Sequence, residues 1–341
     1  MVGQRSKTFD DDLASTLADA GVTMSHHAAR DLLAGVAGAP LNRNPDAWVD
    51  LIAPGVDAAL RARLHSFAKQ IMQETTDGLD QSPAPPKRLD DLRAELARRN
   101  LDGFIVPRTD EYQGEYVPPH SDRLRWLTGF SGSAGVAVIL ANKAAIFIDG
   151  RYTLQVQSEV LSDLFEPQHL ADAPPGAWIF EHLPKDAKLG FDPWLHTQQS
   201  AKTLRTAVEK AGSELVAVAD NPVDTIWDTQ PAAPIAPTVP HSVEYAGKSA
   251  AEKRRNLGAA LQKDGLDAAV LTAPDSVAWL LNIRGGDVSH TPLPLSYAIA
   301  YSSGSVDLFI DPRKLAPGLG AHLGNGVSVA APDAFPAALD A

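Results

Sequence analysis

The chain has 341 residues, 44% hydrophobic and 21% charged, proportions that fit two or three folded domains and exclude a largely disordered chain. Its net charge of −12 argues against non-specific binding to nucleic acid or to an anionic membrane. Cysteine is absent, which excludes disulfides, thiolate metal sites and cysteine nucleophiles. No run of 18 apolar residues occurs and the start lacks an apolar signal-like core, so the expected compartment is the cytoplasm.

Prolines set the expected divisions. Ser82-Pro83-Ala84-Pro85-Pro86 is one Pro-rich stretch, and Pro231, Pro234, Pro237 and Pro240 space out an extended linker. Three blocks follow: 1–86, 87–230 and 241–341. The first reads as a helical leader. Leu13 and Leu17 precede Gly21, a C-terminal helix glycine; Ser25 and Asn44-Pro45 are helix starts; and Leu60, Leu64, Phe67, Ala68 and Ile71 recur at helical spacing. His26, His27 and His65 are surface or capping histidines on this reading. Adjacent helix residues point about 100° apart and make a poor chelate.

The second block alternates helix and strand, which implies a sheet covered by helices. Leu89, Leu92 and Leu96 form one helix face ending near Asn100. Strands are expected at 102–107, 136–140 and 144–148, with Asn142-Lys143 as a tight turn between the last two. A strand at 187–191, a helix at 197–211 and a strand at 214–218 continue the pattern.

The third block repeats the second. Leu101-Asp102-Gly103-Phe104-Ile105-Val106 returns as Leu266-Asp267-Ala268-Ala269-Val270-Leu271, 165 positions on. Trp126-Leu127 returns as Trp279-Leu280, 153 positions on, and Phe147-Ile148-Asp149 as Phe309-Ile310-Asp311, 162 on. Ser249 and Glu252 form a capping box for the helix of the second copy. Only 28 residues follow Arg313, against about 70 between Arg151 and the linker. The second copy is therefore expected to be truncated, leaving a sheet edge and an apolar face uncovered.

Local catalytic motifs are missing. There is no His-Glu-x-x-His, and Gly247-Lys248-Ser249 lacks the first glycine of a phosphate-binding loop and reads as a helix cap. Gly129, Gly132 and Gly135 lack dinucleotide spacing, and neither Ser131 nor Ser133 is flanked as in a nucleophile elbow. The most chemically loaded stretch is Asp110 to His120, with three carboxylates, two tyrosines and a histidine. It reads as an ordered loop beside a cleft, with a metal or acid–base site as the rival. Arg151, in Asp149-Gly150-Arg151-Tyr152, either binds a carboxylate or closes a strand-end salt bridge.

Several of these stretches carry a family resemblance. GEYVPP (114–119), RLRWLTGFSGSAG (123–135), FIDGRYTLQVQ (147–157), LGFDPWLHT (189–197) and NPVDTIWDTQP (221–231) resemble the first domain of three-domain Xaa-Pro aminopeptidases, the aminopeptidase P branch of the creatinase/prolidase family. HSVEYAGKSAAEK (241–253), WLLNIRG (279–285) and HTPLPLSYAIAY (290–301) resemble the second domain. The resemblance runs in order over about 87–335; residues 1–86 have no recognised counterpart.

It implies an α/β fold of two tandem creatinase-type N-terminal domains, each a mixed sheet covered by helices, at 87–230 and, truncated, at 241–341. In the family a third domain holds two divalent metals, often manganese, through Asp, Asp, His, Glu and Glu. A metal-bound hydroxide there attacks the carbonyl before proline. None of those ligands maps onto this chain, so no catalytic or metal residue is assigned, no cofactor is expected in this chain, and the chain alone is expected to be inactive. The resemblance implies a peptide substrate with proline at its second position and homo-oligomer contacts for the intact parent. Tyr116 and Arg151 are the positions expected to face substrate. A stand-alone protein-binding or scaffolding module of the same fold is the alternative, and creatinase or prolidase is disfavoured by the duplicated domain.

Overall fold

A computed structural model describes residues 2–37, 48–80 and 84–340. Asn44-Pro45 and Ser82-Pro83 lie outside the described residues. The chain forms two compact units, one of residues 78–230 and one of residues 1–77 with 231–341.

The leader is helical: α1 (Val2–Asp19), α2 (His26–Ala37), α3 (Val49–Ile52) and α4 (Ala58–Asp80). Gly21 adopts the left-handed φ of 67° that ends α1. Ser25 Oγ accepts the Ala28 N–H at the start of α2, and Asp57 Oδ1 accepts the Leu60 N–H at the start of α4. Leu13, Leu17, Leu32, Leu33, Leu64 and Phe67 form the buried core of this unit's helical part. His65 packs its ring edge-on to Trp48, with centroids 4.9 Å apart. The proline-spaced stretch is extended, as its composition predicts, but it is not a solvated spacer. Ile235 is buried among the leader helices, and its N–H bonds the Gly35 carbonyl at 3.1 Å.

In the unit of residues 78–230, Pro85 and Pro86 open α5 (Pro85–Arg98), a position where a missing N–H costs nothing. Then follow β1 (Gly103–Pro107), α6 (Arg123–Thr128), β2 (Gly135–Leu140), β3 (Ala144–Ile148), α7 (Thr153–Glu159), β4 (Glu166–His169), α8 (Pro175–His182), β5 (Lys188–Phe191), α9 (Gln198–Lys210), β6 (Glu214–Ala217) and α10 (Pro222–Ile226). They build a mixed six-stranded sheet in the order β4-β3-β2-β1-β5-β6. β2 runs antiparallel to β1 and β3; β5 lies parallel to β1 and β6. Leu140 N–H bonds the Lys143 carbonyl at 2.7 Å, closing the turn at Asn142-Lys143. Phe104, Phe130, Phe147 and Phe165 are fully buried against the sheet, and each such side chain contributes about 1.5–3 kcal/mol.

The other unit is completed by β7 (Val239–Pro240), α11 (Val243–Ala246), α12 (Ala250–Asp264), β8 (Ala268–Leu271), α13 (Pro274–Leu281), β9 (Ile283–Arg284), β10 (Tyr297–Tyr301), β11 (Val306–Phe309), α14 (Leu319–Leu323), β12 (Val327–Ala330) and α15 (Phe335–Leu339). Its sheet order is β12-β11-β10-β8, with β10 antiparallel to β8 and β11, and β12 parallel to β11. This is the order β4-β3-β2-β1 over again. Ser249 caps α12 by accepting the Glu252 N–H, so Gly247-Lys248-Ser249 is a helix start. A buried Lys314–Asp287 pair at 2.7 Å ties the start of this unit's second segment to its sheet, because Asp287 also accepts the N–H groups of Ala236 and Leu295.

Candidate functional site

The loop 110–120 follows β1 at the carboxyl end of the strand. Asp110, almost fully buried, folds it by accepting the N–H groups of Tyr112 and Gly114, both at 3.0 Å. Burial raises the Asp110 carboxyl above its ordinary value, and those N–H groups oppose the rise. Glu111 is drawn to Arg123 at 3.0 Å, and Arg123 grips Asp224 through Nε at 2.7 Å and Nη2 at 2.8 Å. Burial of Arg123, 4% exposed, works against its charge, yet Asp224 and Glu111 outweigh it and hold its pKa above the ordinary value. Gln230 Nε2 completes the brace by donating to Asp224 Oδ1 and to the His120 carbonyl. The stretch is therefore an ordered, braced loop, and it presents Tyr116 with 52% of its surface exposed.

Arg151 stands on a 3-10 turn after β3. Its backbone N–H and its guanidinium both bond Asp149, Nη2 reaching Oδ2 at 2.6 Å. The salt-bridge reading of this pair is what the geometry displays, and Arg313 makes the same contacts with Asp311 in the second repeat. Glu115 adds to the raised pKa of Arg151, after Asp149 and Tyr152. The fold thus brings the segment of Tyr116 into electrostatic range of Arg151. Tyr152, beside it, shares a 2.7 Å hydrogen bond with Ser133 in the glycine-rich loop. Ser131 in the same loop donates its N–H and hydroxyl to Glu159. Gly129 holds a φ of 86°, and a side chain there would meet the Glu159 carbonyl. The glycines serve a tight loop clamped by α7.

Arg123 and Asp224 carry this arrangement, and the sequence does not mark them as a pair. They lie 101 positions apart, so no local motif joins them. The donor set does not fit a metal pair. Asp110 is held by backbone N–H groups and Glu111 by Arg123, and no group of three or more His, Asp or Glu placed to hold a metal occurs among the described residues. No helix among the described residues is long and apolar enough to cross a membrane.

Two models described as creatinase/prolidase N-terminal domain match the chain, one over residues 88–226 and the other over 229–341. A probable Xaa-Pro aminopeptidase P of Paracoccidioides brasiliensis (strain Pb03) is 37% identical over 246 residues, covering 71% of this chain and 40% of that protein. Aminopeptidase P1 of Arabidopsis thaliana is 34% identical over 244 residues, with 71% and 37% covered. Among solved structures, an X-prolyl aminopeptidase from Caenorhabditis elegans, described as a cytosolic enzyme with a di-nuclear active site, matches with a TM-score of 0.71 and 29% identity. The match covers 75% of this chain and 44% of that one. The chain spans about 40% of the length of the curated relatives it matches.

Proposed function

For a chain that belongs to the creatinase/prolidase family, and that corresponds to the N-terminal region of an Xaa-Pro aminopeptidase-like protein, we propose a non-catalytic role within a longer metallopeptidase. The longer protein would remove the N-terminal residue ahead of proline, in the cytoplasm, using two divalent metals, manganese in our reading, held outside residues 1–341. Tyr116 and Arg151 would border the path of the substrate, and the tandem domains would also serve oligomer contacts. The observation that carries this reading is the alignment of two consecutive N-terminal domains to about 40% of each relative. The braced loop supports it, since a rigid loop can shape access without taking part in the chemistry. The separate boundaries at 86, 230 and 241 belong to the same proposal.

Metal retention tests it. The purified chain is dialysed against manganese, desalted and analysed for bound metal. Far less than one ion per chain is expected; two ions per chain would overturn the reading.

A further inference from the structure

A cleft of about 550 Å³ opens in the unit of residues 78–230, at the amino ends of β1 and β5. The sheet register places its parts. Asp102, just before β1, stands between Ala141 at the end of β2 and Lys188 at the start of β5. Phe104, two residues after Asp102, packs with Leu92 and Leu96 of α5, and Gly190, two after Lys188, closes on Phe104. Side chains alternate along a strand, so Asp102 and Lys188 share the face that α5 covers. α5 supplies Arg93 and, just beyond its end, Asn100. Asn100 and Asp186 take left-handed φ values of 56° and 60°, which Asn and Asp tolerate, and their turns form two of the walls.

The charges of this cleft are unequally spent. Asp102 accepts the Lys188 backbone N–H through Oδ2 at 2.7 Å. Arg93 donates Nε–H to the Leu140 carbonyl at 3.1 Å, and among the described residues no carboxylate lies within ion-pair distance of it. Burial lowers the Arg93 guanidinium below its ordinary value, against a smaller opposing pull from Asp90. A half-buried guanidinium without a paired carboxylate is unusual, because burying charge is costly unless it is paired, and this chain is acidic overall, at −12. Among the described residues, the Lys188 Nζ and the Asp186 carboxylate likewise make no hydrogen bond or ion pair. Arg93, tied to β2, and Lys188, on β5, are two strands apart, about 10 Å. The planar fork of arginine matches a free carboxylate, and an ammonium group matches the unspent Asp186.

We propose that this cleft binds a short peptide with both termini free, its C-terminal carboxylate on Arg93 and its N-terminal ammonium on Asp186. Lys188 donates to the backbone carbonyls between them. A three-residue peptide spans about 10 Å when extended, the scale set by the strand spacing. The inference does not rest on the peptidase reading: no bond is broken, and the cleft lies at the opposite end of β1 from the loop 110–120.

Triglycine is titrated into the full chain and followed by amide NMR. Acetyl-triglycine, which lacks the ammonium, and triglycine amide, which lacks the carboxylate, are titrated beside it. Saturable shifts at 100–102 and 186–188 are expected with triglycine, and each capped form should bind about tenfold more weakly. Arg93→Met should weaken triglycine about tenfold and leave triglycine amide unchanged. Asp186→Asn should weaken triglycine and leave acetyl-triglycine unchanged. Asp186 is exposed, and its variant carries the test alone if Arg93→Met unfolds in a thermal scan. No saturable shift at these positions, equal binding of all three peptides, or binding that neither substitution weakens would overturn the proposal.

Discussion

Arg151 closes on Asp149 through two guanidinium nitrogens, Nε at 3.0 Å and Nη2 at 2.6 Å. The neighbouring backbone N–H of Arg151 bonds the same carboxylate, and that clamp holds the Asp149 carboxyl below its ordinary range. Arg313 repeats the arrangement on Asp311, so the pair is a feature of how this domain turns after its third strand. Arg151 is nonetheless solvent-exposed, and an exposed pair contributes little to folding. Arg151→Ala is expected to leave the melting temperature unmoved in a thermal scan. A clear drop would show that the turn depends on the pair.

Arg123 is the opposite case. Its guanidinium is buried between Asp224 and Glu111, and removing one partner of a buried pair leaves charge uncompensated. Arg123→Met should cost about 3 kcal/mol in urea unfolding, near the low end for buried pairs because both carboxylates keep some solvent contact. Arg123→Lys should recover only part, since lysine lacks the planar fork. Limited proteolysis should then cut within 110–120 sooner than in the parent. Unchanged cleavage would contradict the bracing role.

The tryptophans make a paired test. Trp227→Ala removes the ring that covers Trp126 and should cost about 3–5 kcal/mol. Trp279→Ala removes an exposed ring packed on Lys253 and should cost about 1 kcal/mol or less. Denaturant titration of both variants checks the contrast; equal losses would contradict it.

His196 gives a pH dependence. Burial pushes its pKa down to about 4, from an ordinary value of about 6.5. Between those values the unfolded chain binds a proton that the folded chain refuses. This contribution is therefore intact above about pH 6.5 and is lost as pH falls toward 4. From pH 7 to 5 the loss is about 2 kcal/mol. Asp110, Asp122 and Asp192 act in the reverse sense, because burial raises their carboxyls; their contribution fades as pH rises through the folded values. Unfolding His196→Phe at pH 7 and pH 5 should show a smaller acid loss than the parent. An identical loss would exclude His196 as its source.

Much of the fold was legible because its strands are short apolar runs and its helices carry periodic leucines. The repeat offset of 165 predicted from Leu101 and Leu266 also joins Arg88 to Lys253, two cations in the same role. β4 was not legible. Glu166-Pro167-Gln168-His169 has no apolar alternation, and its proline suits an edge strand, where one side needs no ladder bond. Nor was the burial of Ile235, because proline spacing signals an extended chain without saying what that chain packs against. In the candidate site, the carboxylates and tyrosines of 110–120 stand out locally. Their brace, Arg123 with Asp224 and Gln230, depends on contacts about a hundred positions apart, which spacing cannot reveal.

The most direct test of the central claim is turnover. The 341-residue chain, supplied with manganese, is assayed on a peptide whose second residue is proline. The account predicts no release of the N-terminal residue above the buffer rate. Cleavage at a rate comparable to that of a whole Xaa-Pro aminopeptidase would contradict it.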